Sequence, residues 1–266
     1  MTVTGPQPVE VPMMPFGDGG SRTGRTERGV GCSSAMLRAL LLLMVVWPVL
    51  HVVAQERVEP RRSGQMWLEG GVVGGAPGVL EGWLGKDQAK RFRFAGEVGY
   101  RTGDELARGR QVILEGQLRY KLHRLVDVAA EQRYAARMRE RDRHRFGLFA
   151  QVGDRVGRFD LGYRLSYQHT FGSEGLRRHT VRNRIDVGYD IRGFRFDPEL
   201  MVEIFSALGR EGRRHDATRF RLGTTWRPAK AHAVGIAVVH DREHGRRRPD
   251  RRWILSLSYT LDLRKL

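Results

Sequence analysis

Histidines close to acidic or hydroxyl residues are the combinations in this sequence with the most chemical potential. A serine nucleophile, a histidine base and an orienting carboxylate together support hydrolysis or acyl transfer, and histidine with aspartate can also bind a metal. The groups are His169 with Ser173 and Glu174, His215 with Asp216, and His240 with Asp241 and His244. Their spacings match no established catalytic or metal-binding pattern, and such residues in loops are usually solvated. We therefore expect no enzyme activity, no cofactor and no metal site.

A second chemical pattern is an alternation of charge between three successive segments. An arginine segment is followed by a glutamate segment and then by another arginine segment: Arg182 and Arg184, Glu199 and Glu203, Arg219 and Arg221. Opposite charges on neighbouring strands attract, and a narrow interior tolerates paired charge far better than lone charge. We expect these residues to form an arginine–glutamate ladder that fills the interior of a barrel, the alternative being a solvated sheet face with chance pairing. A catalytic glutamate pair is disfavoured, because the flanking arginines would keep both carboxylates ionised.

The elements that carry these charges read as β-strands, because apolar and polar residues alternate with a period of two. The alternation is clearest at 91–101, 111–121, 156–168 and 252–263. Many of these runs have roughly 9–13 residues, whereas a globular strand has about 5–6 and a tilted membrane strand about 9–11. All seven tyrosines fall on the apolar register, most of them near strand ends, as in the aromatic belt of a membrane barrel.

The connections between twelve predicted strands, spanning 65–263, alternate between short and long. The short ones are 87–90, 122–123, 153–155, 191–193 and 228–230, and the long ones are 102–110, 135–143, 169–179, 207–217 and 242–251, with 74–78 the exception. Bacterial outer-membrane barrels have short periplasmic turns and longer outer loops. The pattern predicts a closed antiparallel transmembrane β-barrel of about 12 strands (10 is the alternative) with both termini in the periplasm. A soluble lipocalin or β-sandwich would show the same alternation with the apolar face turned inward.

The front of the chain resembles an export signal. Residues 36–54 combine a basic start with an apolar run too short for a comfortable membrane span. We predict a signal peptide at 36–54, a periplasmic segment at 55–64 and the barrel at 65–266, with an uncleaved anchor as the alternative at 36–54. Residues 1–35 are treated as a non-structural extension or a mis-assigned start, with Met36 as the other possible initiator. Cys32 precedes the apolar run, so neither lipidation nor a disulfide is expected in the mature chain.

The composition limits the classes of partner. The chain has a formal net charge of +17, which suits nucleic acid or another anionic surface. The arginines are spread over strands and loops without a nucleic-acid motif, and the basic run at 244–248 falls in a predicted loop of an exported chain. We therefore expect no nucleic-acid binding, and outer-membrane lipids with anionic lipopolysaccharide as the partners of the basic outer loops.

Several strand sequences resemble a known family. They are GYRLSYQ at 162–168, RNRI at 182–185, DPELMVEIF at 197–205, RFRLG at 219–223 and LSLSY at 255–259. Together they resemble the bacterial family of unknown function numbered 2490 over about 60–266, and the resemblance implies an outer-membrane barrel without an established activity. Barrel-assembly signals usually end in an aromatic residue, whereas this chain ends in Leu266. We expect the barrel-assembly machinery to recognise Tyr259, Leu261 and Leu263, or the signal to be a weak variant.

The expected function is therefore that of an outer-membrane β-barrel of a Gram-negative bacterium, structural or with a small porin-like pore. Two alternatives remain: a barrel enzyme that modifies outer-membrane lipids, and a soluble lipocalin-like binding protein.

Overall fold

Eleven β-strands form a closed barrel in the computed structural model of this chain, which describes residues 59–266 except 104–105, 107, 172–177, 210–211 and 245–248. The predicted signal peptide and the extension before it lie outside the described residues. The strands are β1 Arg61–Gly75, β2 Phe92–Thr102, β3 Gly109–His123, β4 Val126–Arg137, β5 Arg143–Val156, β6 Phe159–Phe171, β7 Arg178–Tyr189, β8 Pro198–Gly209, β9 Gly212–Ala229, β10 His232–Glu243 and β11 Asp250–Asp262.

The structure corrects the prediction of a strand at 79–86. That segment forms helix α1 (Gly78–Leu84), followed by the short helix α2 (Lys86–Ala89). Apolar residues at 79, 80, 83 and 84 have the spacing of three and four that is typical of a helix, and they do not alternate strictly, but so short an apolar run does not by itself separate a helix from a strand. Gly85, with φ of 78°, separates the two helices. The barrel consequently has 11 strands rather than 12 or 10.

The odd strand number changes how the barrel closes. Consecutive strands pair antiparallel, but β1 and β11 pair in parallel, from Arg61 opposite Asp250 to Val73 opposite Asp262. The start of β1 and the end of β11 therefore lie at opposite ends of the barrel. This corrects the prediction that both termini lie on the same side, which depended on an even strand count.

The two ends of the barrel differ in their connections. One end, which we call the long-loop end, carries the start of β1 and the connections 103–108, 138–142, 172–177, 210–211 and 244–249. The other, the short-turn end, carries α1 and α2, the end of β11, and the connections 124–125, 157–158, 190–197 and 230–231. The predicted alternation is retained in outline. Strands β8 and β9 extend beyond their predicted ends, so that their connection is 210–211 instead of 207–217. The connection 190–197 is longer than the predicted 191–193, because β8 begins only at Pro198.

The two faces of the sheet have opposite polarity. Eight arginines and seven acidic residues are among the buried side chains of the described region, and they point into the barrel. Large apolar residues alternate with them and point outward, as Leu114, Leu148, Leu165, Leu222 and Ile236 do with exposed fractions of 45–60%. A lipocalin would have the opposite arrangement, with its apolar face inward. Within the described residues, no helix has the length and apolar character needed to span a membrane.

Candidate functional site: the charged interior of the barrel

Ion pairs between neighbouring strands line the interior on the β1–β5 side. Glu69 of β1 accepts a hydrogen bond from Arg101 of β2 at 3.3 Å. Glu115 of β3 is paired with Arg133 of β4, and Arg145 of β5 lies 3.7 Å from the same carboxylate. All five residues are buried. Because a lone charge in this enclosed interior would be very costly, the alternation of acid and base from strand to strand is what allows the interior to be charged.

The predicted arginine–glutamate ladder centres on Glu203 of β8. Its carboxylate accepts a hydrogen bond from Nε of Arg182 on β7 at 2.6 Å. In the strand register Glu203 also stands opposite Arg184 of β7 and Arg219 of β9. Arg219 extends the chain of charges to β10, where its Nη2 donates to Oδ2 of Asp241 at 2.9 Å. The structure thus brings Arg182, Glu203 and Arg219 together and connects them to an acid outside the predicted set.

The other three predicted members have different surroundings. Arg184 forms an ion pair with Asp186 of its own strand at 2.7 Å. Glu199 is half-buried near the short-turn end, and glycines stand opposite it on both neighbouring strands. Arg221 stands opposite Met201 on one side and Val239 on the other. These residues share the inward face with Glu203, but the ladder does not continue regularly through them.

Aromatic rings fill the space between the charges. The Arg219 guanidinium lies 5.1 Å from the ring centroid of Phe205 and 5.2 Å from that of Trp67, while Arg101 stacks on Trp67 at 3.6 Å. Trp67 belongs to β1 and Arg219 to β9, which are not neighbouring strands, so the Arg219–Trp67 contact crosses the interior, whereas the other two contacts join neighbouring strands. Arg219 is 1% exposed and Phe205 is 0% exposed. The interior is therefore packed with side chains at this level, which cation–π attraction helps to hold.

The histidine groups are separated from their neighbouring acids by the strand geometry. His240 points outward, 4.5 Å from Trp253 between ring centroids, while Asp241 points inward to Arg219, since successive strand residues face opposite sides. His215 is exposed and stacks on His244 at 4.3 Å, whereas Asp216 is buried. Burial and the nearby positive charges of His215 and Arg242 lower the pKa of His244 to about 4.

The remaining histidine group is described only in part. His169 lies next to His179, with 3.2 Å between their Nδ1 atoms, and Ser173 and Glu174 fall outside the described residues. Where the structure describes the chain, no set of three or more histidine, cysteine, aspartate or glutamate side chains is placed to hold a metal ion.

Sequence reasoning missed several interior residues. No interior position was assigned to Glu69, Arg133 and Arg145, or to the rings of Trp67 and Phe205. The alternation of strand residues was the available signal. Phe205 lies two positions from Glu203, and Trp67 lies two positions from Glu69, so each ring faces the same side as the nearby carboxylate. Only charged residues were considered for the interior, so these two rings were not placed there.

Comparisons with known proteins give a single family. No curated protein matches the chain, and no solved structure matches it. The sequence model of a family described as "Protein of unknown function (DUF2490)" matches residues 80–252, most of the barrel. The resemblance inferred from the strand sequences is confirmed, and this chain belongs to the DUF2490 family.

Proposed function

We propose that this protein is an outer-membrane β-barrel of a Gram-negative bacterium, exported by a cleaved signal peptide, with an interior closed by its own charged and aromatic side chains. Its role is structural, as a barrel that anchors its loops in the membrane, and it has no enzyme activity. The partners are outer-membrane lipids, lipopolysaccharide and the barrel-assembly machinery.

The inverted polarity of the two faces carries this proposal. Buried arginines, glutamates and aspartates inside and exposed leucines, valines and isoleucines outside are the reverse of a water-soluble protein. In lipid, the same arrangement is favourable, because the apolar face contacts acyl chains and a closed barrel satisfies every backbone hydrogen bond.

Rings on the outer face near both ends of the barrel support the same proposal. Phe92 and Tyr120, and Phe159 and Tyr189, form cross-strand pairs near the short-turn end, with centroids 4.8 Å and 4.9 Å apart. Near the long-loop end, Tyr134 packs on His144, and other outward rings form similar pairs. Along β6, Phe159 and Tyr167 are about 26 Å apart at ~3.3 Å per residue, which a strand tilt of about 35–45° reduces to about 20 Å along the barrel axis, somewhat less than the apolar band of about 25 Å that such barrels present.

The packed interior favours a structural barrel over an open pore. Arg219, Phe205, Glu203 and Trp67 are at most 5% exposed, so solute passage at this level requires displacement of ion-paired side chains. We place the long-loop end outside the cell and the short-turn end in the periplasm, since outer loops are generally the longer ones.

Cell fractionation with a gel-mobility assay tests the membrane part of the proposal. We expect the protein in outer membranes, with a faster gel mobility before boiling than after it, as a closed barrel gives. Recovery as a soluble periplasmic protein without this shift would overturn the proposal.

Planar-bilayer recording tests the closed interior. We expect little or no conductance for the native protein and a steady conductance for the double variant Phe205→Ala with Arg219→Ala, which removes the central packing. The matched control replaces two outward residues, Phe220→Ala with Leu222→Ala, and should stay closed. Steady conductance of the native protein would instead identify a small pore.

A further inference from the structure

Three arginines form one continuous row across neighbouring strands at the long-loop end. Arg62 of β1 stands opposite Arg251 of β11, and Arg251 stands opposite Arg242 of β10. Neighbouring strands lie about 4.8 Å apart, so the three side chains leave the barrel wall side by side.

The row points away from the charged interior. On β10, Val239, Asp241 and Glu243 are buried in the interior, so Arg242 projects outward with Val238 and His240. Similarly, Arg251 shares its face with Trp253, which is 58% exposed. On β1 the inward residues are Gln65 and Trp67, which leaves Arg62 on the outer face with Leu68.

The nearby carboxylates are engaged elsewhere. Asp241 accepts from Arg219 inside the barrel, and both Asp250 and Glu243 pair with Arg252 on the inward face. In the part of the chain that the structure describes, none of the three arginines of the row has a carboxylate within ion-pair distance. Like charges on directly facing strand positions repel, and an anion next to the row would offset this repulsion.

A pair of histidines lies close to the row. His215 and His244 stack on each other beside Arg242. Thr218 stands opposite Arg242 on β9, and its hydroxyl oxygen lies 3.2 Å from Nε2 of His244. The low pKa of His244 has the charges of Arg242 and Arg251 among its causes, after burial and His215.

Directly below the row, towards the middle of the barrel, the outer surface changes character twice. The first step is the His240–Trp253 pair. The next is an apolar wall in which Leu255 is 42%, Val238 49% and Leu222 60% exposed. Positive charge, then aromatic rings, then aliphatic side chains match the sequence of phosphate, sugar and acyl chains in an anionic lipid.

We propose that Arg62, Arg242 and Arg251 bind the phosphate groups of the lipid A portion of lipopolysaccharide, with its acyl chains along the wall of β9, β10 and β11. Guanidinium groups bind phosphate oxygens through paired, charge-assisted hydrogen bonds. The Trp253 ring provides an apolar surface for the sugar, and the leucines and valine contact the acyl chains. This proposal rests on the proposed membrane location, and it defines a lipid site on the strand ends instead of in the loops.

A lipid titration of the full-length protein in neutral detergent tests the site. Diphosphoryl lipid A would be added to the native protein and to the triple variant Arg62→Gln, Arg242→Gln, Arg251→Gln, and bound lipid would be counted by native mass spectrometry. We expect the triple variant to bind about tenfold or more weakly, since each charge-assisted contact contributes on the order of a factor of ten. Dephosphorylated lipid A should bind to the native protein and to the triple variant with similar affinity.

The matched control removes the same charge from the other end of the barrel. Arg158, Arg192 and Arg195 are exposed at the short-turn end, and their triple replacement by glutamine should leave lipid A binding unchanged. An equal loss in this control, or native-like binding by the first triple variant, would overturn the site.

The heat-dependent gel mobility of each variant reports whether the barrel is folded and keeps the two proposals separable. A native protein that neither enters membranes nor shows the mobility shift contradicts the proposed function itself. If the protein is a membrane barrel but its lipid A binding does not depend on the arginine row, only the proposed lipid site is contradicted.

Discussion

Replacement of Glu203 by leucine should strongly destabilise the barrel, because it leaves two arginines around an apolar side chain. Glu203 is 1% exposed and its partner Arg182 is 7% exposed at the side chain. Arg219 stands opposite the same position on β9 and is paired with Asp241 at 2.9 Å. Removing one member of a buried ion pair typically costs about 3–5 kcal/mol, much of it from the charge left behind. We expect the free energy of unfolding to fall by about this amount.

The double variant Glu203→Leu with Arg182→Met separates the strength of the pair from the cost of an unpaired charge. Replacing both partners with apolar residues of similar volume is often neutral or stabilising by about 1–4 kcal/mol. We expect the double variant to recover most of the loss of the single one. A double-mutant cycle should therefore show strong coupling between these two positions.

Equilibrium unfolding by guanidinium in phospholipid vesicles, followed by tryptophan fluorescence, is the measurement. Glu199→Leu is the control, since Glu199 is half-buried and stands opposite glycines; it should cost less than about 1 kcal/mol. The reasoning fails if Glu203→Leu and Glu199→Leu lower the free energy of unfolding equally. It also fails if the loss in the double variant equals the sum of the losses in the two single variants.

Three further predictions concern the outer face, the interior contacts and the long-loop end. Leu165→Arg, on the outer face, should destabilise the barrel by about 2–4 kcal/mol in vesicles, and unchanged unfolding there would contradict a lipid-facing position. Gly223→Val should be destabilising by about 1–3 kcal/mol, because a Cβ at position 223 would lie 2.6 Å from the Cβ of Ala237. Gly116 should tolerate valine, since an added Cβ there has nothing within 4 Å. Equal losses of stability for the two variants, measured by unfolding in vesicles, would contradict this prediction. The pKa of His244 is about 4 in the folded protein and ~6.5 in the unfolded chain. Between these two pH values the unfolded chain binds more protons, so the free energy of unfolding falls as the pH is lowered from 6.5 to 4. His244→Gln should reduce this slope, measured from unfolding at each pH, and the same change at the exposed His123 should not.

The strands were predictable because their two faces differ so strongly. From β2 to β11, alternation places the ends of each strand within about six residues of their observed positions, and all seven tyrosines have the outward register. The segment 78–89 was not predictable in the same way, because an apolar run as short as 79–84 does not separate a helix from a strand. The parallel closure depends on this one segment, since it changes the parity of the strand count.

The interior was predictable in kind but not in detail. Charge on alternating positions indicated paired arginines and glutamates, and Arg182 with Glu203 form such a pair. The sequence could not show that Arg184 bonds within its own strand, or that Arg219 reaches Asp241. Those choices depend on side-chain rotamers and on register shifts, such as the one between Phe205 and Ser206, which short strand patterns do not encode.

The junction of β1 and β11 also differs from the other strand pairs in what its formation costs. Each of the other ten strand pairs joins neighbours in the chain and can form early as a hairpin or a similarly local unit. The last junction joins Arg61 to Asp250, almost the entire barrel sequence apart, and so it carries the largest loop-closure entropy. Until the last strand has been synthesised, β1 has an unpaired edge, and an exposed edge of that length invites pairing with other chains. Translation must therefore finish before the vulnerable edge disappears, which makes the interval between synthesis and closure the period in which protection from aggregation matters most.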